Sequence, residues 1–239
     1  MLAQHLLGVE VPVFFDLVLH VGTLLVVFVF FRHRIGRILV ALWGSWRVPS
    51  WRAWLADVDR RLAFAVVVGT AVTGVLALTF EERLLGFYEQ PRWVGAFMVA
   101  MGFVLVLSWR LPWRHSLVGW REGLVVGLAQ ALAVLPGISR SGSTIVASQA
   151  RGIDPQEAVE FSFLLSIPAI AGAAILQADG AALAAARANA LAYGAGTLAA
   201  VIVGYGALAL LAVMVRKRAL HYFAPYLLVV GAWAMWWFA

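Results

Sequence analysis

The sequence contains no cysteine and few charged residues. Without cysteine, the chain cannot form disulfides, use a thiol nucleophile or build a cysteine-ligated zinc or iron–sulfur site. Charged residues make up 13% of the 239 residues and hydrophobic ones 63%, and the mean hydropathy is +0.90. Soluble domains carry about 25% charged residues. The composition therefore excludes an ordinary soluble domain and is typical of a protein that crosses the membrane several times.

Acidic residues are also scarce, at 12 against 18 lysines and arginines, but the basic residues do not gather on one face. They lie between apolar blocks, as in cytoplasmic loops that face anionic lipid. A nucleic-acid-binding surface would concentrate them instead. We therefore expect no nucleic-acid partner.

Six apolar blocks are long enough to cross a bilayer, which takes about 17–25 residues. They lie near Val11–Phe31, Leu62–Phe80, Trp93–Leu111, Val159–Leu176, Leu191–Val215 and Tyr222–Ala239. The basic residues concentrate in the connectors Arg32–Arg61, Arg110–Arg121 and Arg216–Arg218. Placing these three connectors in the cytoplasm makes the first, third and fifth spans run inward and the other three run outward.

A shorter apolar block lies within Leu117–Arg151 and, under this assignment, enters and leaves on the cytoplasmic side. Pro136 and Gly137 interrupt it, because this pair breaks a helix and frees backbone groups. We therefore predict a re-entrant helical hairpin over Leu117–Arg151. The predicted fold class is an all-α polytopic membrane protein with about six spanning helices plus this hairpin.

The break of the hairpin carries the most informative motif, which runs from Leu135 to Thr144 and reads LPGISRSGST. It places an arginine, four hydroxyls and two glycines inside otherwise lipid-soluble sequence. Arginine offers planar, charge-assisted donors that suit a phosphate group. An arginine at the bilayer centre costs about 2.5–3.5 kcal/mol, so such a cluster indicates a functional site. The alternative is a structural Arg140 that satisfies carbonyls at a helix end.

The neighbours of Arg140 carry alternatives of their own. Gly137 and Gly142 either let backbone N–H groups approach an anion or only permit close helix packing. Ser139 and Ser141 are candidate site residues of undefined role, because a nucleophilic serine needs an adjacent base and none is evident nearby.

Two polar residues outside the motif are also candidates. Gln130, ten residues before Arg140, either caps a free carbonyl or reaches the bound head group. Glu160 either lies at a solvated helix end, where it meets the helix dipole, or pairs with Arg140. The sequence leaves both questions open.

From Arg121 to Leu176 the sequence resembles the undecaprenyl-diphosphatase family, also called the bacitracin-resistance protein family. The residues that carry the resemblance are Gly127–Gln130 (GLAQ), Leu135–Thr144, Glu160–Leu165 (EFSFLL) and Pro168. The stretch Phe14–Leu25 is similar to the segment that follows the family's first motif. The resemblance implies a membrane enzyme of two inverted repeats, each with a re-entrant hairpin. It implies that the enzyme removes the terminal phosphate of undecaprenyl diphosphate and so recycles the lipid carrier of cell-wall synthesis.

The resemblance also implies roles for individual residues. Arg140, Ser139 and Ser141 would be catalytic. Thr144 would bind the substrate phosphates as a further hydroxyl partner. From the residue pattern itself, Gly137, Gly142 and Gln130 are expected to bind the phosphates as well, with Glu160 in a supporting role.

The expected cofactor is a divalent cation, Mg or Ca, and the expected partners are the polyprenyl diphosphate substrate and the lipid bilayer. The expected location is the bacterial inner membrane, where the chain would cross several times and contribute to peptidoglycan synthesis, cell shape and bacitracin resistance. Whether it forms a homodimer is left open.

The sequence departs from the family pattern at its beginning. The family's first motif has two acidic or amide residues spaced by three and then a turn with serine and histidine, and this sequence contains neither. We therefore expect a first repeat, 1–116, with a truncated hairpin, and a complete second repeat, 117–239. An internal similarity between Phe15–Gly22 and Phe161–Pro168 supports two repeats. The carboxylates expected to hold the metal belong to the motif that is not found.

Two other functions stay open on the sequence. Inverted repeats that meet at broken helices are also the architecture of transporters, so a polyprenyl-phosphate transporter or flippase is one alternative. The other is an inactive homologue that binds the lipid without hydrolysing it.

Overall fold

A computed structural model describes residues 13–88, 90–111, 117–177 and 186–238. Within these ranges the chain is helical and contains no strand, which confirms the predicted all-α class. The helices are α1 (Val13–Phe30), α2 (Arg32–Trp43), α3 (Trp51–Ala56), α4 (Val58–Thr79), α5 (Glu81–Tyr88), α6 (Pro91–Ser108), α7 (Trp120–Leu132), α8 (Arg140–Ala150), α9 (Pro155–Gln177), α10 (Ala190–Arg216) and α11 (Ala224–Trp237). Short 3-10 turns lie at Gly44–Arg47 and Leu220–Phe223.

Four of the described helices, α4, α6, α9 and α10, are long and apolar enough to cross a membrane. A fifth candidate span is Phe14–Phe30 together with Arg32–Arg47, which are bent by 77° against each other. The sixth predicted block forms α11, which has 14 residues and is therefore only about 21 Å long. The chain is thus an integral membrane protein with several spans.

The predicted basic connector 32–61 is not an extended loop, because α2 and α3 occupy most of it. Arg34 on α2 forms ion pairs with Asp59 at the start of α4 and with Glu160 on α9, at 3.2 Å each. The sequence pattern missed these helices because hydropathy marks apolar spans and says little about short polar helices at their ends.

The relative directions of the spans agree with the directions predicted from charge. Phe15 lies against Gly196, and Phe30 packs on Tyr205 with ring centroids 5.8 Å apart, so α1 and α10 are parallel. Gly95 lies against Gly231, whereas Gly102 lies against Leu228. The order of these contacts makes α6 and α11 antiparallel, as predicted.

The hairpin is positioned by a close contact between α7 and α4. A Cβ at Gly123 would lie 2.6 Å from the carbonyl oxygen of Ala65, and one at Gly127 would lie 2.7 Å from Cα of Gly69. Small residues four apart on both helices therefore let the two backbones touch. The residue that follows along α7, Gly127, contacts the residue that follows along α4, Gly69, so the two helices run parallel.

The two arms of the hairpin are α7 and α8, with 13 and 11 residues. At 1.5 Å per residue they are about 20 and 16 Å long, too short to cross the hydrocarbon core. Nη2 of Arg151, just after α8, lies 2.9 Å from Oε1 of Glu122 in the first turn of α7. The beginning of α7 and the end of α8 therefore lie on the same side, which supports the predicted re-entrant hairpin.

The tip of the hairpin lies near the opposite ends of the spans. Gly137 has φ +98°. A Cβ at this position would overlap the carbonyl oxygen of Val94 at the start of α6. The hydroxyl of Tyr88, at the end of α5, donates a hydrogen bond of 2.6 Å to the carbonyl oxygen of Val134. The end of α5 and the start of α6 thus hold the tip.

The division into two inverted repeats stays a prediction. In two inverted repeats, α1 of the first repeat would correspond to α9 of the second, and α4 would correspond to α10. The contact of α1 with α10 would then have a counterpart in a contact of α9 with α4. Both contacts are present in the structure. This exchange of partners supports the repeats, because an inverted repeat would produce it.

Candidate functional site

The centre of the candidate site is the beginning of α8. Pro136 and Gly137 follow α7, and the chain starts a new helix at Arg140 after a cap at Ser139. The Ser139 backbone is extended (φ −72°, ψ 116°), and its Oγ accepts a hydrogen bond of 3.1 Å from the N–H of Gly142. The first N–H groups of a helix have no acceptor within the helix, and the helix dipole is positive there. The start of α8 is therefore suited to an anion.

Arg140 adds a formal positive charge at this point. Its guanidinium is partly buried and forms no ion pair or hydrogen bond with a side chain or carbonyl in the ranges that the structure describes. The alternative in which Arg140 satisfies helix-end carbonyls is thus not seen among those residues. Among the described residues this cation has no counter-charge, so it can bind an anionic ligand.

Thr144 connects the start of α8 to α9. Its hydroxyl is fully buried and donates to the carbonyl oxygen of Arg140 at 2.9 Å, and it shares a hydrogen bond of 2.5 Å with Oγ of Ser162. A hydroxyl carries one hydrogen, so Ser162 donates whenever Thr144 donates to the backbone. Thr144 thus holds the helix in place, and its predicted contact with phosphate stays a prediction.

The two glycines of the motif have packing roles. Gly137 needs its positive φ and its close approach to Val94, which a side chain would prevent. A Cβ at Gly142 would lie 2.7 Å from Cε of Met101 and 3.1 Å from Oγ of Ser139. Close packing is therefore present at both glycines, and their approach to an anion stays a prediction.

Ser141 is the hydroxyl of the motif that is open to a ligand. Its side chain is partly buried, and it makes no hydrogen bond to another side chain or carbonyl within the described residues. Ser143, by contrast, points to Sδ of Met101 at 3.4 Å. Ser141 therefore lies beside Arg140 with its hydroxyl available.

Gln130 is buried on α7, facing α4. Its Nε2 donates to Oγ1 of Thr73 at 3.2 Å, while its Oε1 has no hydrogen-bond partner within the described part of the chain. A buried amide oxygen without a partner costs about 1–3 kcal/mol. The side-chain amide thus donates to a hydroxyl and not to a free carbonyl, and its oxygen is left for water or a substrate group.

Glu160 does not pair with Arg140, so that alternative is wrong. Its Oε2 lies 3.2 Å from Nε of Arg34, and its Oε1 accepts from Nε2 of Gln156 at 3.2 Å. The reason lies in the directions of α8 and α9, which are antiparallel around the contact of Thr144 with Ser162. Arg140 lies about 6 Å along α8 from that contact, and Glu160 lies about 3 Å along α9 in the opposite direction. The two side chains are therefore on opposite sides of the contact.

Comparison of the sequence with known proteins identifies the family of the chain. The sequence model of the family described as bacitracin resistance protein BacA matches residues 1–233. The chain belongs to this family. The undecaprenyl-diphosphatase of Desulfosudis oleivorans is 40% identical over 98% of the chain and 88% of the relative. Those of Methanosphaera stadtmanae and Treponema denticola are 35% and 36% identical, over 96% and 93% of the chain and 86% and 82% of the relatives.

The divalent cation implied by the BacA family can be tested against the donors present. Within the described residues, no three histidine, aspartate or glutamate side chains come together as metal ligands. At the start of α8 the polar side chains are the hydroxyls of Ser139, Ser141 and Thr144. These residues by themselves do not fit a divalent cation, which prefers carboxylate oxygens. The cation stays a prediction, and no step below depends on it.

Three residues at the site of this BacA family member were missed by the sequence analysis. Ser162 ties α9 to Thr144, Thr73 accepts from Gln130, and Tyr88 binds the tip of the hairpin. Ser162 could have been found, because it is a hydroxyl within the EFSFLL motif of an apolar span. Thr73 and Tyr88 gave no such signal, since their partners come from distant parts of the chain.

Proposed function

We propose that the chain hydrolyses undecaprenyl diphosphate to undecaprenyl phosphate and inorganic phosphate, and so recycles the lipid carrier of cell-wall synthesis. Curated relatives of the BacA family carry the name undecaprenyl-diphosphatase. The observation that carries the proposal is Arg140, a cation without a described counter-charge at the positive end of α8.

In this proposal the start of α8 binds the diphosphate. The guanidinium of Arg140, the hydroxyl of Ser141 and the free N–H groups of the first helical turn donate to the phosphate oxygens. Water attacks the terminal phosphorus as the bridging P–O bond breaks, and undecaprenyl phosphate leaves. Negative charge spreads over the phosphoryl oxygens in the transition state, and fixed donors and cations stabilise it there.

Ser139 and Thr144 act through the helix in this mechanism. Ser139 caps α8, and Thr144 links its first turn to Ser162. Both fix the direction of the N–H groups and of Arg140 before the substrate arrives, so little reorganisation is needed during the reaction.

We further propose that the head group is cut near the outer face. The hairpin enters beside Arg61 at the start of α4, whose Nε donates to the carbonyl oxygen of Val118 just before α7. Its tip contacts Tyr88 and Val94, which follow the far end of α4. With the basic connectors inside, the tip and Arg140 lie toward the outside, and the prenyl tail enters sideways from the bilayer.

The finer location and assembly are proposals as well. The positive-inside distribution of arginines supports the inner (cytoplasmic) membrane, since this rule holds for loops that face the cytoplasm. A homodimer stays a prediction, which the mass of the purified detergent complex would test.

The deciding experiment measures phosphate release from undecaprenyl diphosphate by the purified full chain in detergent. We expect Arg140→Ala to lower kcat by about 100-fold or more, the effect of removing one donor to a transition-state oxyanion. Arg216→Ala, at the exposed end of α10, is the matched control and should keep its activity. Equal activity of the Arg140 variant, with both proteins eluting as folded species, would disprove the assigned role.

A separate experiment tests the alternative that the chain is a transporter. A hairpin of two half-length helices is also found in transporters. Movement of a labelled head group across vesicles without phosphate release would favour transport over hydrolysis. Binding of the lipid with neither movement nor release would indicate an inactive homologue.

A further inference from the structure

A basic cleft of about 330 Å³ lies at the other end of α8. It is formed where α6, α8 and α10 end and where the 3-10 turn Leu220–Phe223 begins. The polar and aromatic side chains that line it include Trp109, Gln149, Lys217, Arg218, His221 and Tyr222. Gln149 is nine residues after Arg140, so about 14 Å of helix separates this cleft from the candidate catalytic site.

The charge of this cleft has one sign. Lys217 and Arg218 contribute two cations, and none of the described lining residues is acidic. A second cleft, of about 380 Å³, differs in this respect, because its lining includes Arg34 and Glu160, which already pair with each other. Among the described residues the positive charge of the basic cleft is therefore not compensated, and the cleft suits an anion.

The walls of the basic cleft are held in place by hydrogen bonds. Nε2 of Gln149 donates to the carbonyl oxygens of Ser108 and Leu111 at 2.9 and 2.7 Å, and so fixes the end of α6. Arg218 has φ 56°, a left-handed conformation that ends α10, and the N–H of Ala219 bonds to the carbonyl oxygen of Met214 at 2.8 Å. The two cations thus lie on a defined turn.

His221, which lines the cleft, has a buried ring nitrogen. Nδ1 of His221 is buried and has no hydrogen-bond partner in the described structure. The ring packs against Tyr222, with centroids 4.4 Å apart, and faces Trp109 at 6.3 Å. This nitrogen lies beneath the surface of the cleft, so an oxygen ligand in the cleft reaches it only when the imidazole turns toward the ligand.

The surroundings indicate which anion would reach the cleft. Trp109 and Tyr222 are 68% and 69% exposed at helix ends, as is typical of aromatic residues at the level of the lipid head groups. The basic segment Arg216–Arg218 places this end of the molecule at the cytoplasmic leaflet, which is rich in anionic lipid.

We propose that this cleft binds the phosphate of an anionic phospholipid head group from the cytoplasmic leaflet. Lys217 and Arg218 supply the charge, and the imidazole of His221 adds a hydrogen bond when it turns toward the ligand. The proposal is independent of the hydrolytic function, because the cleft and Arg140 lie at opposite ends of α8. Inorganic phosphate shares the same chemistry, and the experiment separates the two sources.

The test uses the purified full chain in neutral detergent and follows lipid binding by native mass spectrometry. Phosphatidylglycerol is titrated against zwitterionic phosphatidylethanolamine, and inorganic phosphate is added as a competitor. The variants are Lys217→Gln and Arg218→Asn, since asparagine tolerates the left-handed backbone at this position. Arg216→Gln is the matched control, because it removes a neighbouring charge that does not line the cleft.

We expect phosphatidylglycerol to be retained over phosphatidylethanolamine, and each cleft variant to weaken its binding about fivefold. The control variant should lose less than twofold, and millimolar inorganic phosphate should not displace the lipid. An equal loss in Arg216→Gln would overturn the proposal, because binding would then reflect surface charge alone. Displacement by inorganic phosphate, or no preference for phosphatidylglycerol, would overturn it as well. Phosphate release by the two cleft variants should match that of the unmodified chain, which shows that they are folded.

Discussion

Arg151 and Glu122 close the hairpin, with Nη2 of the arginine 2.9 Å from Oε1 of the glutamate. The contact joins the residue after α8 to the first turn of α7, across 29 positions of sequence. It holds the two half-length helices together at the membrane face from which they enter. The tip that carries Arg140 is thereby held at a fixed depth.

Removal of Glu122 should destabilise the chain more than removal of Arg151. Glu122 also accepts a hydrogen bond of 3.1 Å from the N–H of Gly119 and so caps α7. We expect Glu122→Ala to cost about 1–2 kcal/mol, and Arg151→Ala, with a side chain 41% exposed, to cost below about 1 kcal/mol. Thermal unfolding in detergent measures the order. A larger loss for Arg151→Ala would show that the cap has no role.

The contact between α4 and α7 should not tolerate a methyl group. A Cβ at Gly127 would lie 2.7 Å from Cα and from the carbonyl oxygen of Gly69. We expect Gly127→Ala to cost at least about 1–3 kcal/mol, because backbone atoms cannot move aside as side chains do. Gly74→Ala is the control on α4, where nothing lies within 4 Å. That substitution should be neutral or stabilising, since alanine favours a helix. Equal melting temperatures for the two variants would contradict the prediction.

Loss of the Ser162 hydroxyl should impair the reaction more than substrate binding. Ser162→Ala removes the partner of Thr144, so the first turn of α8 and Arg140 lose part of their support. We expect kcat to fall about tenfold and KM to change little, with recovery in Ser162→Thr. Ser166→Ala is the control, because within the described residues that hydroxyl bonds to the carbonyl oxygen of Phe163 in its own helix and to no other helix. A similar loss in both variants would show a general packing effect.

The hydrogen bond from Tyr88 to the hairpin tip should depend on pH above about 10. Burial raises the pKa of Tyr88 above its ordinary value, so the hydroxyl stays protonated and donates to Val134. A pKa that is higher in the folded state adds stability below the unfolded value of about 10. That stability is lost as the pH rises through the folded value.

Tyr88→Phe should therefore lower the melting temperature slightly at pH 8, by the equivalent of at most about 1 kcal/mol. The difference from the unmodified chain should shrink as the pH approaches 11. A difference that stays constant over this range would mean that the hydroxyl does not hold the tip.

Much of the fold could be predicted because membrane spans follow from local sequence. The apolar blocks, the alternating basic connectors and the Pro136-Gly137 break are each visible in a short window, and lipid imposes the same demands on every span. The shorter α11 and the helical connector with α2 and α3 were less visible, since they depend on how the ends of the spans are covered.

The amino-acid sequence by itself determined that this chain is a helical membrane protein and that Arg140 lies among hydroxyls at a helix break. It did so because apolar length, positive charge and helix-breaking residues act locally. Only the tertiary structure decided that Glu160 pairs with Arg34, that Ser162 supports Thr144, and that Tyr88 binds the hairpin tip. These partners depend on which helices lie side by side and in which direction they run, and residues distant in sequence meet only after the helices have packed.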